Sequence, residues 1–196
     1  MSYKKILVWE VNWIGDVIFS TPFIRAVRNR FPDAHITCIV TGKCRELLET
    51  NPNVNDVIVY DVKNIQKGLL GKWVFLRRLR SGKYDVAFLL HRSLTRALMC
   101  FLAGVRQRVG YFYKKRNFIL TQKARHNPDP MHRIEYYLGL ARKVGADTDD
   151  KKLDFFTAGP DEAYADNFFK YHKIKPDDIV VAVNPGGNWV PKRWPV

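Results

Sequence analysis

Lys5-Ile-Leu-Val-Trp-Glu10 is a short apolar run, and Asp16 to Phe31 follows it with helical spacing. In that helix Phe19, Phe23, Val27 and Phe31 fall near one face, and Arg25, Arg28 and Arg30 fall largely elsewhere. Pro32-Asp33 stops it. His35-Ile-Thr-Cys-Ile-Val-Thr41 is then a second run, rich in β-branched residues, the composition of a parallel strand buried on both faces. Strand, helix and strand in this order make a βαβ unit, because parallel neighbours need a crossover that a helix supplies.

The same alternation continues outward. Arg45 to Glu49 reads as a short helix ended by Asn51-Pro-Asn53, and Asp56 to Asp61 as a third strand. A helix over 69–80 ends at Ser81-Gly82, and Tyr84 to Leu90 is a fourth strand. Ser93 to Ala103 is helical with Gly104 as its stop, Arg106 to Tyr111 is a fifth strand, and Lys114-Lys-Arg-Asn117 is a basic loop. Met131 to Val144 is a helix carrying Tyr136, Tyr137 and Leu140. Five strands joined by helices predict an α/β fold with a doubly wound, Rossmann-like parallel sheet.

The polar stretch from Asp149 to Pro160 reads as a linker. A helix from Asp161, with Asp161 as its cap, and a buried-type strand over 178–183 follow it. The expected division is 1–158 for one domain and 159–196 for a linker and the start of another. So short a second segment cannot cover that last strand on both faces, so the second domain is expected to be truncated.

Composition narrows the partners. Thirty-three Lys and Arg against nineteen Asp and Glu give a net charge of +14, a field that attracts phosphorylated sugars, anionic lipid headgroups or nucleic acid. No apolar run approaches bilayer length, and Met1-Ser-Tyr-Lys-Lys5 runs into the first strand with no cleavage site, which speaks against a signal peptide. Cys38, Cys44 and Cys100 are odd in number and lack metal-ligand spacing, so they read as reduced thiols of a cytosolic protein.

Two loops carry candidate chemistry. Glu10-Val-Asn-Trp-Ile-Gly-Asp16 leaves the first strand at the edge where α/β sheets bind ligands. It has neither a GxGxxG fingerprint nor a Walker lysine. It offers one carboxylate at a helix start: from spacing Asp16 reads first as an N-cap, a role that does not exclude a second as base for a hydroxyl. Asn184-Pro-Gly-Gly-Asn-Trp-Val-Pro-Lys-Arg-Trp194 places Gly186 and Gly187 where backbone N–H groups can face an anion, with Lys192 and Arg193 adding positive charge. His91-Arg-Ser-Leu-Thr-Arg96 lies at the same sheet edge, with Ser93 a candidate cap and Arg92 or Arg96 within reach of a ligand. The Trp73, Arg77, Arg78 and Arg80 helix reads as a solvated face or as an amphipathic surface for anionic lipid. A non-catalytic module for an anionic partner, nucleic acid included, is the rival class. No nucleic-acid-binding motif supports it, and no nucleic acid is expected.

These motifs, in this order, resemble the heptosyltransferases of lipopolysaccharide core synthesis, glycosyltransferase family nine. The resemblance is carried by Gly15-Asp-Val, Thr21-Pro, Ile24-Arg-Ala-Val-Arg28 and Phe31-Pro-Asp-Ala-His-Ile36, by Leu90 to Arg96 with Arg108-Val-Gly-Tyr111, and by Asn184-Pro-Gly with Lys192-Arg-Trp-Pro195. It implies the N-terminal half of a GT-B fold, two Rossmann-like domains across a cleft, the first for acceptor and the second for nucleotide sugar. It implies inverting transfer of heptose from ADP-heptose to a phosphorylated, Kdo-containing lipid A core, with no metal and no cofactor. Asp16 falls on the family's candidate base, and Lys192, with Gly186 and Gly187, on donor-phosphate contacts. Acceptor contacts are expected from Asn12, Trp13, Arg92, Arg96, Lys114, Lys115 and Arg116. Family members are longer, so these residues alone are expected to lack turnover. A cytoplasmic protein, peripheral on the inner face of the inner membrane, is the expected setting.

Overall fold

The computed structural model describes residues 2–61, 68–113, 115–125, 131–187, 191 and 193–194. Two compact units divide the chain, Met1–Phe156 and Thr157–Val196.

The first unit is a parallel sheet in the order β3-β2-β1-β4-β5-β6. Its strands are β1 (Lys5–Trp9), β2 (His35–Val40), β3 (Asp56–Val59), β4 (Val86–Leu89), β5 (Gln107–Tyr111) and β6 (Gln122–Ala124). Every pairing is parallel, with Ile6 opposite Ile36 on one side of β1 and opposite Val86 on the other. Both faces of the sheet are buried, so successive side chains of β1 enter different cores. Ile6 and Val8 join one, and Leu7 and Trp9 the other. The helices follow suit. α1 (Ile14–Arg30), α2 (Glu46–Glu49) and α5 (Arg133–Ala141) cover the Ile6–Val8 face. α3 (Gly68–Gly82) and α4 (Leu94–Leu102) cover the Leu7–Trp9 face.

The order reverses between β1 and β4, which puts α1 and α4 on opposite faces and opens a crevice where the chain leaves those two strands. α1 packs along α5. It runs unbroken through a buried Pro22, whose missing N–H leaves the Ile18 carbonyl without its helical donor; the Thr21 hydroxyl donates to that carbonyl at 2.9 Å instead.

The five strands expected before residue 112 are present, with a sixth, β6, that polar Gln122 and Lys123 concealed. Gly104 ends α4 in a left-handed conformation (φ 81°), as a helix stop requires. Part of the stretch read as a linker is docked. Arg25 forms an ion pair with Asp154, and the Asp154 N–H donates to the Thr21 hydroxyl at 2.9 Å.

The second unit contains α6 (Gly159–Tyr171). Its cap is Ala158, and Asp161 sits a turn inside, its carboxylate accepting the Ala158 N–H at 3.2 Å, which corrects the expected cap position. Residues 178–183 do not form the expected buried strand. Ile179 is 93% exposed and Val181 77%, because no neighbouring strand among the described residues of this unit offers them a sheet.

Candidate active site

The crevice at the sheet's switch point is a cleft of about 320 Å³ built from three elements. Val11, Asn12, Trp13 and Asp16 come from the β1–α1 junction, Leu90, His91 and Arg92 from the end of β4, and Arg133, Tyr136 and Tyr137 from α5.

α1 begins at Ile14 with Trp13 as an uncapped, extended N-terminal residue. Asp16 therefore stands in the first turn, where the helix dipole favours a carboxylate, and it is not the N-cap. The cap reading of Asp16 is thereby corrected, since the chain enters the helix two residues earlier than the spacing suggested. Its side chain is partly open to the cleft. Oδ1 accepts the Tyr137 hydroxyl at 3.5 Å and lies 3.8 Å from Arg133 Nε. Burial and the negative charge of Asp16 raise the Tyr137 pKa, so the phenol stays a donor.

Arg92 Nε donates to the Tyr136 hydroxyl at 3.0 Å, with the guanidinium over the Tyr136 ring. Tyr136 stacks on Tyr111 at 3.9 Å between centroids. This fixes one cation on the rim of the cleft. His91 lies beside it. Its Nδ1 accepts the Ser93 N–H at 3.1 Å, which leaves Nε2 to carry the ring proton. Burial, then the charges of Arg96 and Arg116, push its pKa down to about 4. At neutral pH His91 is an uncharged donor.

Arg96 does not line the cleft; it braces it from α4. Nη1 donates to the Glu10 carbonyl at 2.9 Å and Nη2 to Asn12 Oδ1 at 2.7 Å, while Ser93 Oγ caps α4 by accepting the Arg96 N–H. Arg116 corrects the acceptor-contact expectation. It is fully buried, with Nη1 donating to the His91 carbonyl at 2.6 Å and Nη2 to the Tyr111 carbonyl at 2.9 Å. A basic loop reads as solvated from sequence, but a guanidinium has enough planar donors to tie two strand ends together. Lys115 is exposed, and Lys114 lies outside the described residues. Trp13 is 63% exposed, its ring 4.2 Å from the Lys43 ammonium.

Gly186 and Gly187 are exposed. The Gly186 N–H donates to Asn184 Oδ1 at 3.3 Å, and the Gly187 carbonyl accepts Arg193 Nε at 2.6 Å, so both groups have local partners. Lys192 lies outside the described residues.

Sequence reading missed Glu10, Arg133, and a second cleft of about 750 Å³ lined by Phe112, Asn117, Lys123 and Arg125. Glu10 is buried. Its Oε2 accepts Ser20 Oγ at 3.0 Å and the Val11 N–H at 3.4 Å, and Oε1 has no partner among the described residues. Burial pushes this carboxyl up to about 7. Among the described residues no cluster of metal-ligating side chains occurs, and no helix is long and apolar enough to cross a membrane.

Residues 73–196 match the model of glycosyltransferase family 9 (heptosyltransferase). Lipopolysaccharide heptosyltransferase 2 of Escherichia coli K12 is 28% identical over 97% of this chain and 57% of its own length. A crystal structure of a family 9 glycosyl transferase from Veillonella parvula superposes with a TM-score of 0.91 at 26% identity, covering all of this chain and 57% of that one. The E. coli ADP-heptose LPS heptosyltransferase II structure shares the fold, with a TM-score of 0.62 at 24% identity over 84% of this chain and 50% of that one. The chain thus spans little more than half the length of the relatives it matches. A parallel sheet in the 3-2-1-4-5-6 order, a carboxylate at its switch point and a family match over most of the residues converge: the chain belongs to glycosyltransferase family 9.

Proposed function

We propose that this chain supplies the acceptor-binding half of an enzyme that transfers a heptose from ADP-heptose to the inner core of lipopolysaccharide. The observation that carries the reading is Asp16, held in the first turn of α1 at the switch point, between a phenol and a guanidinium and open to a cleft. A carboxylate so placed can accept the proton of an acceptor hydroxyl as its oxygen attacks the anomeric carbon. The bond from that carbon to the diphosphate oxygen breaks on the opposite face, the configuration inverts, and the electron pair leaves with the nucleoside diphosphate.

Arg92 and Arg133 give the cleft the positive charge that a phosphorylated or carboxylated core sugar needs, and Asn12 and Trp13 add a polar and an aromatic contact. Exposed Lys115 would meet the acceptor farther out, and Lys114 is assigned the same role. Residues 1–158 form the acceptor domain in this reading, and 159–196 begin the domain for the nucleotide sugar. There Gly186, Gly187 and Lys192 neutralise the departing diphosphate without calling on a metal. The Gly186 N–H must then exchange Asn184 for a phosphate oxygen. The acceptor is lipid-anchored, which sets the enzyme to work as a peripheral protein at the cytoplasmic face of a membrane.

The test is transfer itself. The whole enzyme, given ADP-heptose and an inner core lacking one heptose, should add one heptosyl unit, seen by mass spectrometry as an alkali-stable glycoside. A core left unmodified, while another nucleotide sugar is consumed, would assign a different donor.

A further inference from the structure

We propose that the outer layer formed by α3 and α4 docks on an anionic lipid bilayer, an inference that rests on the reading above in so far as a lipid-anchored acceptor needs a membrane surface. Both helices lie on the same face of the sheet. α3 enters the core through Phe75 and Leu79, and α4 through Ala97 and Cys100. A helix with its apolar stripe already buried is normally polar elsewhere. These two are not. On α3, Leu69 is 87% exposed, Leu70 74% and Trp73 52%. On α4, Leu94, Leu98, Phe101 and Leu102 recur at helical spacing and make a second apolar stripe, each between 39% and 51% exposed. Single exposed leucines are ordinary; a group of this size on two adjoining helices marks an interaction surface.

Charge selects the partner. Along α3 and the turn after it, residues 68 to 83 hold five Lys or Arg and no acid, and the nearest acid, Asp85, is engaged by the backbone N–H groups of Lys4 and Lys5. Arg77, Arg78, Arg80 and Lys83 are exposed just beyond the apolar half of α3. The Arg77 guanidinium lies 4.9 Å from the Trp73 ring centroid, so a cation sits beside the aromatic group. Leucines and a tryptophan flanked by unopposed cations are the pattern of a surface that sinks its apolar groups to headgroup depth and holds phosphate above them. A second copy fits poorly, since two faces of the same charge would repel. Nucleic acid would leave the α4 stripe unused.

Vesicle flotation of the chain at physiological ionic strength, with no sugar or nucleotide present, tests the proposal. The chain should float with phosphatidylglycerol-rich vesicles and not with phosphatidylcholine vesicles. Acyl-brominated phosphatidylglycerol should quench fluorescence that Trp73→Phe removes. Trp73→Ala and Leu98→Ser should each weaken binding about tenfold, at unchanged helix content because both side chains are exposed. A chain that stays in solution overturns the proposal. So does binding that both substitutions leave intact, which would show adsorption by charge alone, and so does a dimer that either substitution dissociates. The readout needs no turnover, so a negative result removes the docking surface and leaves the transferase reading standing. Failure of heptose transfer with flotation intact does the reverse.

Discussion

The Tyr137 hydroxyl on α5 reaches Asp16 Oδ1 at 3.5 Å across 121 positions of sequence, and this contact joins the first and last helices of the sheet domain at the cleft. Without it the carboxylate would keep only the half-exposed Arg133 guanidinium, 3.8 Å away, as a neighbour. Tyr137, itself buried, fixes where that carboxylate points. Tyr137→Phe should leave acceptor affinity within about twofold and lower turnover roughly tenfold, the loss of one hydrogen bond to a charged group. Steady-state kinetics resolved into kcat and KM would check it.

Arg96 should matter for the loop rather than for the ligand. Its guanidinium holds the Glu10 carbonyl and Asn12 Oδ1 together, so Arg96→Ala leaves both without that donor. The expected cost is about 2 kcal/mol of unfolding free energy in urea. Arg96→Lys should restore only part of it, because one ammonium cannot span both acceptors.

Glu10 makes stability depend on pH. The unfolded carboxyl ionises near 4.5 and the buried one at about 7, so the folded state binds the proton more tightly. Its contribution is complete below pH 4.5, declines as pH rises to 7, and is flat above. Glu10→Gln keeps the volume and removes the titration. The variant should gain on wild type across that interval, by on the order of 3 kcal/mol at its upper end. Urea unfolding of both proteins at several pH values from 4 to 8 would show the divergence.

Much of the fold was legible because hydrophobic period and burial agree. Leu7 and Trp9 alternate with Ile6 and Val8, all four are buried, and only a strand covered on both faces allows that. Gly104 and Ser93 declared their helix ends through backbone chemistry that few residues share. β6 was illegible, because a three-residue edge strand with Gln122 and Lys123 carries almost no apolar signal. The site divided in the same way. Asp16 and Arg92 were visible from their place after strands, whereas Tyr136 and Tyr137 read as helix core and turned out to wall the cleft as well. Arg116 misled because sequence cannot tell a solvated guanidinium from one that ties the His91 and Tyr111 carbonyls. Glu10 gave no warning, since its Oε2 meets the Ser20 hydroxyl only once α1 has folded over β1.

Gly139 on α5 has no room for a side chain. A Cβ there would meet the Tyr111 hydroxyl, which donates to the Tyr136 carbonyl at 2.6 Å. Gly139→Ala should destabilise the domain by about 1–3 kcal/mol. It should also displace Tyr136, loosening Arg92 at the cleft rim. Thermal unfolding, with acceptor KM in parallel, would register both.

The decisive measurement is heptose transfer by the whole enzyme carrying Asp16→Asn, with acceptor affinity and melting temperature taken on the same preparation. Asparagine preserves the side chain's shape and removes its capacity to take a proton. Turnover should fall by about 10²- to 10⁴-fold while affinity and melting temperature hold. Turnover within twofold of wild type would show that this carboxylate accepts no proton in the reaction.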